Sequence, residues 1–137
     1  MTHVDVVAAV IIQDGRILLT QRSPKGSYPW RWESPGGKVE AGETLALALV
    51  RELREELGVK IVVDSDDRAL TYVDIPSREG ATPRRVHFKE ATIVSGRPEP
   101  TIPIGLGWFT ADELTGLKMT PANEARREEL VTLVRGA

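Results

Sequence analysis

The chain has 137 residues, 41% of them apolar, and 18 basic against 20 acidic side chains give a net charge of −2 at pH 7. That length fits one domain over residues 1–137. The charge balance argues against polymeric nucleic acid or an anionic membrane as partner, while a free nucleotide stays compatible because metal and a few cations can meet its charge locally. No cysteine occurs, which excludes disulfides and thiolate metal sites and accords with a cytoplasmic setting. Neither a cationic leader nor an apolar run of about 18 residues is expected to direct the chain to a membrane.

Val4 to Gln13 is rich in β-branched residues and predicts a strand. Asp14-Gly15 is a two-residue hairpin signal, and Arg16 to Gln21 reads as the returning strand. Ser23 to Trp32, with two prolines, a glycine and two tryptophans, predicts a loop. Ser34-Pro35-Gly36-Gly37-Lys38 predicts a glycine-rich turn whose backbone can approach an anion closely. A helix follows, with Thr44 as N-cap and Gly58 as the left-handed residue after Leu57. Its apolar stripe is Leu45 or Ala46, Leu49, Leu53 and Leu57.

Ile61–Val63, Ala69–Ile75 and Arg85–Val94 read as strands, and Ser77–Pro83 and Gly96–Pro103 as loops. Thr110 and Glu113 form a capping-box pattern for a short helix, with Trp108 and Phe109 before it as core. Thr120-Pro121 opens the last helix, whose apolar side is Leu130, Leu133 and Val134. His3 and His87 read as packing or surface residues without an acidic partner at regular spacing, and Arg84 and Arg85 as a solvated loop tip. The element order suggests a mixed sheet with helices on its faces.

Glu52, Glu55 and Glu56 stand three and four apart, on one helical face. Taken alone, such a face is solvated, with Arg51 bridging to Glu55. A cluster of hard oxygen donors beside a glycine-rich turn is also what a magnesium site on phosphates uses. The offsets decide between these readings. Gly37, Glu43, Arg51, Glu52, Leu53, Glu55, Glu56, Gly58 and Val59 fill every position of the signature of the Nudix hydrolases, which the chain resembles. The string from Trp32 to Thr44 is similar to the MutT-type branch, which cleaves nucleoside triphosphates.

This resemblance implies an α/β class fold, an α/β/α sandwich with a mixed β-sheet, in which residues 37–59 form a loop–helix–loop. It implies Mg²⁺, with Mn²⁺ able to substitute, held by Glu52, Glu55, Glu56 and the carbonyl of Gly36. Glu52 is the candidate to activate water, with help from Glu43, and Arg51 orients Glu52 or pairs with Glu43. The substrate is a nucleotide, cleaved to nucleoside monophosphate and pyrophosphate. Arg22 and Lys38 are expected on the nucleotide and its phosphates. Asn123, in Pro121-Ala122-Asn123-Glu124, is expected on the base, since an amide offers a donor and an acceptor together.

Two departures from the family pattern bear on the substrate. Ser34 replaces the large apolar residue that lines the base pocket, leaving Tyr28, Trp30 or Trp32 to supply a stacking surface. The stretch Ile102 to Gly107 lacks the further metal-binding glutamate that many members carry, and Glu99 is the nearest acid. The leading substrate is a nucleoside triphosphate, a class that includes oxidised or modified ones such as 8-oxo-dGTP. The alternatives are a (d)CTP-type nucleotide, another nucleoside-diphosphate-linked compound, or a non-hydrolytic nucleotide-sensing module.

Overall fold

The computed structural model describes residues 3–64, 68–76, 82–100, 103 and 105–137. Most of the expected loop at 77–83, and Ile102 and Ile104 of the stretch expected to lack a glutamate, lie outside the described residues.

The strands are β1 (Val4–Val10), β2 (Ile12–Gln13), β3 (Arg16–Gln21), β4 (Trp32–Glu33), β5 (Gly36–Lys38), β6 (Lys60–Val62), β7 (Thr71–Ile75), β8 (Arg84–Glu90), β9 (Thr92–Ser95) and β10 (Gly105–Phe109). The helices are α1 (Leu45–Leu57), α2 (Ala111–Gly116), α3 (Pro121–Ala125) and α4 (Arg127–Gly136). A mixed sheet runs β5-β1-β8-β7, with β1 and β8 parallel and the outer pairs antiparallel. A second sheet runs β10-β3-β2 with β4 also on β3, and β6 pairs with β9.

Alternation along β1 and β3 divides the core. Val7, Ala9, Ile11 and Leu18 pack under the Leu45, Leu49, Leu53 and Leu57 stripe of α1. Ala8, Val10, Ile17 and Leu19 pack with Phe88, Leu114, Met119, Leu130 and Val134 on the side of the C-terminal helices. Helices therefore cover both faces, as an α/β/α sandwich requires.

Local signals were reliable where local geometry decides. Asp14 and Gly15 both take positive φ, 51° and 74°, in the hairpin between β2 and β3. Thr44 accepts from the Leu47 N–H at the start of α1, and Gly58 closes the helix at φ 69°, ψ 24°. Thr110 and Glu113 form the expected capping box.

Four expectations change. The expected strand 85–94 is two strands, because the chain leaves β1 after Ala91 donates to the Val10 carbonyl and then pairs with β6. Gly105–Phe109 is a full strand on β3 whose two glycines weaken the strand signal, and at Gly107 an added Cβ would lie 3.0 Å from the Phe109 ring. The last helix breaks at Arg126, whose guanidinium turns to donate to the Tyr72 carbonyl on β7. Arg84 and Arg85 belong to β8 rather than a loop tip, and Arg85 pairs with Asp74 at 2.8 Å and lies over the Tyr72 ring.

The histidines also differ from expectation. His3 and His87 each place Nε2 2.9 Å from Oδ1 of Asp5, which stands two residues from His3 in sequence and across the β1–β8 pair from His87. Their hydrogen bonds hold the Asp5 carboxyl below its ordinary range.

Candidate active site

The glycine segment is a strand rather than a free turn. Gly36 and Gly37 lie in β5, at the edge of the mixed sheet, because side chains would not fit there. A Cβ on Gly36 would sit 1.9 Å from the Val7 carbonyl oxygen, and one on Gly37 would sit 2.0 Å from Oε2 of Glu52. The ladder register also decides which carbonyls are available. Ala9 donates to Pro35 O and Val39 donates to Asp5 O, so Gly36 and Lys38 occupy the alternate, non-hydrogen-bonded positions. Their carbonyls point off the edge of the sheet. That of Lys38 accepts from Arg51 Nη2 at 2.9 Å.

Arg51 ties the acidic helix to the loop before it. It makes a two-pronged contact with Glu43, Nε to Oε2 at 2.7 Å and Nη2 to Oε1 at 2.9 Å, and Nη1 donates to Glu52 Oε1 at 2.9 Å. Arg51 thus contacts both Glu43 and Glu52. The Arg51–Glu55 contact is longer, 3.5 Å. Glu43 also accepts from the Glu40 N–H, and the Arg51 bonds hold its carboxyl down to about 2. An acid that strong is a poor proton acceptor near neutrality.

Glu56 behaves in the opposite way. Burial, then the negative charges of Glu52, Glu33 and Glu55 and a hydrogen bond with Glu52, push its carboxyl up to about 8. Among the described residues, no three His, Asp or Glu side chains converge closely enough to hold an ion as they stand. The donor set nevertheless fits a hard divalent cation. It offers several carboxylates and a carbonyl, and the crowding at Glu56 is a deficit of positive charge that such a cation would relieve.

A cavity of about 370 Å³ opens beside this cluster. Its wall includes Gly36, Lys38 and Glu56 at one part and Arg22, Ser34 and Asn123 at another, so every residue expected on the substrate meets there. Glu43, Arg51, Glu52 and Glu55 stand outside its lining. Asn123 is brought in by the segment before α3. Trp32 N–H donates to Lys118 O and Thr120 N–H to Trp32 O, which lays residues 118–120 along β4 and sets Asn123 against Ser34. The two side chains are buried and reciprocally bonded, Ser34 N–H to Asn123 Oδ1 at 3.1 Å and Asn123 Nδ2 to Ser34 Oγ at 3.0 Å.

Of the candidate stacking rings, Tyr28 lines the cavity. Trp32 is committed edge-on to Phe109, with ring centroids 4.9 Å apart, and Trp30 is exposed outside the lining. Glu99 is exposed and outside the lining, although its N–H donates to Leu57 O at the end of α1. Arg22 pairs with Glu33 at 3.1 Å and donates to the Ser27 carbonyl at 2.8 Å, bracing the loop that carries Tyr28. Sequence reasoning passed over Glu33 and set Arg84 aside as a loop tip, and both line the cavity. The signal for Glu33 was its strand alternation with Trp32 beside the glycines. For Arg84 the strand register decides, since its parallel pairing with Val4 places it there.

The sequence profile of the NUDIX domain matches residues 1–133. The chain belongs to the Nudix family. A Mycobacterium tuberculosis (strain H37Rv) protein, provisionally named 8-oxo-dGTP diphosphatase 2, is 34% identical over 133 residues, 96% of this chain and 91% of that protein. The CTP pyrophosphohydrolase of Escherichia coli K12 is 52% identical over 63 residues, 46% of this chain and 47% of that protein. The solution structure of the E. coli ORF135 protein superposes with a TM-score of 0.76 at 33% identity, covering 97% of this chain and 91% of that one. This chain is thus a Nudix hydrolase of α/β class with MutT-like character, and none of its helices among the described residues is long and apolar enough to cross a membrane.

Proposed function

We propose that the protein hydrolyses a nucleoside triphosphate to the monophosphate and pyrophosphate with Mg²⁺, or Mn²⁺ in its place. The carrying observation is the cavity wall, which joins Glu56 and Gly36 to the buried Ser34–Asn123 pair. Phosphates and base of one nucleotide can then be met together.

Glu52, Glu55, Glu56 and the Gly36 carbonyl are the groups that would hold the cation. Such an ion supplies neutralising charge to phosphate oxygens and acidity to water. Water attacks the β-phosphorus, and the oxygen bridging the α- and β-phosphorus leaves with the nucleoside monophosphate. Glu52, fixed by Arg51 and packed against Gly37, takes the proton from the attacking water. Glu43 serves Arg51 rather than the proton. Lys38 and Arg22 supply positive charge toward the phosphates.

The test is pyrophosphate release from a nucleotide panel with and without Mg²⁺, including 8-oxo-dGTP, CTP, the common triphosphates and ADP-ribose. Release from triphosphates that requires the metal supports the reading, and binding without release would make the protein a sensing module. A second reading, a cytidine triphosphate as substrate, is favoured by the 52% identity with the CTP pyrophosphohydrolase over 63 residues and by the small Ser34 in the base pocket.

A further inference from the structure

Tyr28 and Trp30 both take left-handed backbone, at φ 51° and 65°. Bulky side chains rarely adopt that conformation, and it persists where the surroundings over-determine it. Here they do. Arg22 donates through Nε to the Ser27 carbonyl at 2.8 Å and through Nη2 to the Ser27 hydroxyl at 3.2 Å. Gln21 Nε2 donates to the Trp30 carbonyl at 3.0 Å, and the Trp30 N–H donates to the Arg22 carbonyl at 3.2 Å. Residues 21 and 22 thus grip a strained bend from both sides. Tyr28 sits in that bend and is the one aromatic residue in the cavity lining among the described residues.

Arg31 joins the bend to the segment that carries Asn123. Its N–H donates to the Tyr28 carbonyl at 3.3 Å, and its Nη1 donates to the Met119 carbonyl at 3.1 Å. Glu124 lies 3.7 Å from the same guanidinium, a half-exposed pair that adds little by itself. Met119 is fully buried and opens the run Met119-Thr120-Pro121-Ala122-Asn123. One side chain therefore ties the backbone of Tyr28 to the segment that sets Asn123 against Ser34. Arg31 itself stands outside the cavity lining.

We propose that Tyr28 supplies the aromatic face for the nucleobase, and that Arg31 is a positioning residue that holds this face in place relative to the Ser34–Asn123 pair. Stacking requires no particular base edge, because every nucleobase has a π face. The contact therefore adds affinity for a base as such and does not choose among bases. A bend fixed before binding also spares the complex the cost of ordering a flexible loop.

This inference rests on the nucleotide-cavity reading, and its test separates the two. Binding of CMP, UMP, AMP, GMP and ribose 5-phosphate with Mg²⁺ is measured by calorimetry, beside pyrophosphate release from the matching triphosphates. The proteins are the wild type, Tyr28→Phe, Tyr28→Gly, Arg31→Lys, Arg31→Ala and the double variant Tyr28→Gly/Arg31→Ala. The readout is the advantage of the best-bound nucleotide over the base-free sugar phosphate, a ratio that partial unfolding does not change. The wild type should show an advantage of roughly tenfold or more, the scale of one stacked base. Tyr28→Phe should keep it. Tyr28→Gly, which relieves the backbone at φ 51°, should fold and lose most of it. Arg31→Ala should lose about threefold to tenfold, and Arg31→Lys, whose ammonium can still donate to the Met119 carbonyl, should regain part of that loss. The losses should not add in the double variant, because without the ring Arg31 has nothing to position. In turnover the changes should appear in KM rather than kcat. An advantage untouched by Tyr28→Gly or by Arg31→Ala, or losses that add in the double variant, overturns the inference. So does a wild type that releases pyrophosphate from triphosphates yet binds every nucleotide no better than ribose 5-phosphate. The expected pattern of binding without pyrophosphate release keeps this inference and removes the hydrolytic proposal.

Discussion

Gly37 and Glu52 are in steric contact: a methyl group on the glycine would lie 2.0 Å from Oε2 of the carboxylate. The carboxylate is thereby confined between the β5 edge and Arg51. Gly37→Ala should keep the fold, since the side chain can swing away at an overpacking cost of about 1–3 kcal/mol. It should lower kcat strongly, because the proton acceptor moves. Thermal melts together with pyrophosphate-release kinetics check this, and near-native turnover would remove Glu52 from its proposed role.

Gly36→Ala should act differently. Its obstacle is the Val7 backbone at 1.9 Å, which no rotamer change can clear. The β1–β5 pairing must open, so loss of folded protein is expected rather than a folded, inactive enzyme. Circular dichroism melts of the two alanine variants side by side distinguish steric conflict with backbone from conflict with a side chain.

The metal-free protein should lose stability as pH rises. Glu56 titrates near 8 in the fold against an ordinary 4.5, so between those values the native state holds a proton that the unfolded chain has released. Unfolding free energy therefore falls as pH increases through that window and levels off above it. Glu56→Gln should flatten this component, and Mg²⁺ should stabilise the wild type more at high pH, where the carboxylate is free of its proton. Melting temperatures in EDTA and in Mg²⁺ from pH 5.5 to 9, wild type against variant, give the measurement. An identical slope in both proteins would refute the assignment.

Glu55→Gln and Glu56→Gln should each abolish turnover while leaving a folded protein, and EDTA should stop pyrophosphate release until Mg²⁺ or Mn²⁺ is restored. Retention of near-native rates by Glu56→Gln at saturating Mg²⁺ would show that the cation sits elsewhere.

Arg51→Lys should weaken Mg²⁺ affinity by about tenfold to a hundredfold, the usual effect of losing a group that orients metal ligands. A lysine has one ammonium where Arg51 spans Glu43, Glu52 and the Lys38 carbonyl. Titration calorimetry with Mg²⁺ measures it, and unchanged affinity would make Arg51 a brace for the loop alone.

Much of the molecule is written in short-range spacing. The cap residues Thr44, Gly58 and Thr110, the Asp14-Gly15 hairpin and the stripe of α1 follow from backbone geometry within a few residues, and the three glutamates share a helical face for the same reason. Spacing also carried the family signature. What it could not carry is contact across the sequence. The Ser34–Asn123 bonds join residues 89 apart, His87 meets Asp5 only through the β1–β8 register, and Glu33 raises Glu56 only because β4 lies beside the cavity. Strand register and the docking of residues 118–120 on β4 set those meetings, and they depend on how the core packs. Sequence thus determined the family and its acidic helix, while the tertiary structure decided which side chains meet in the cavity beside that helix.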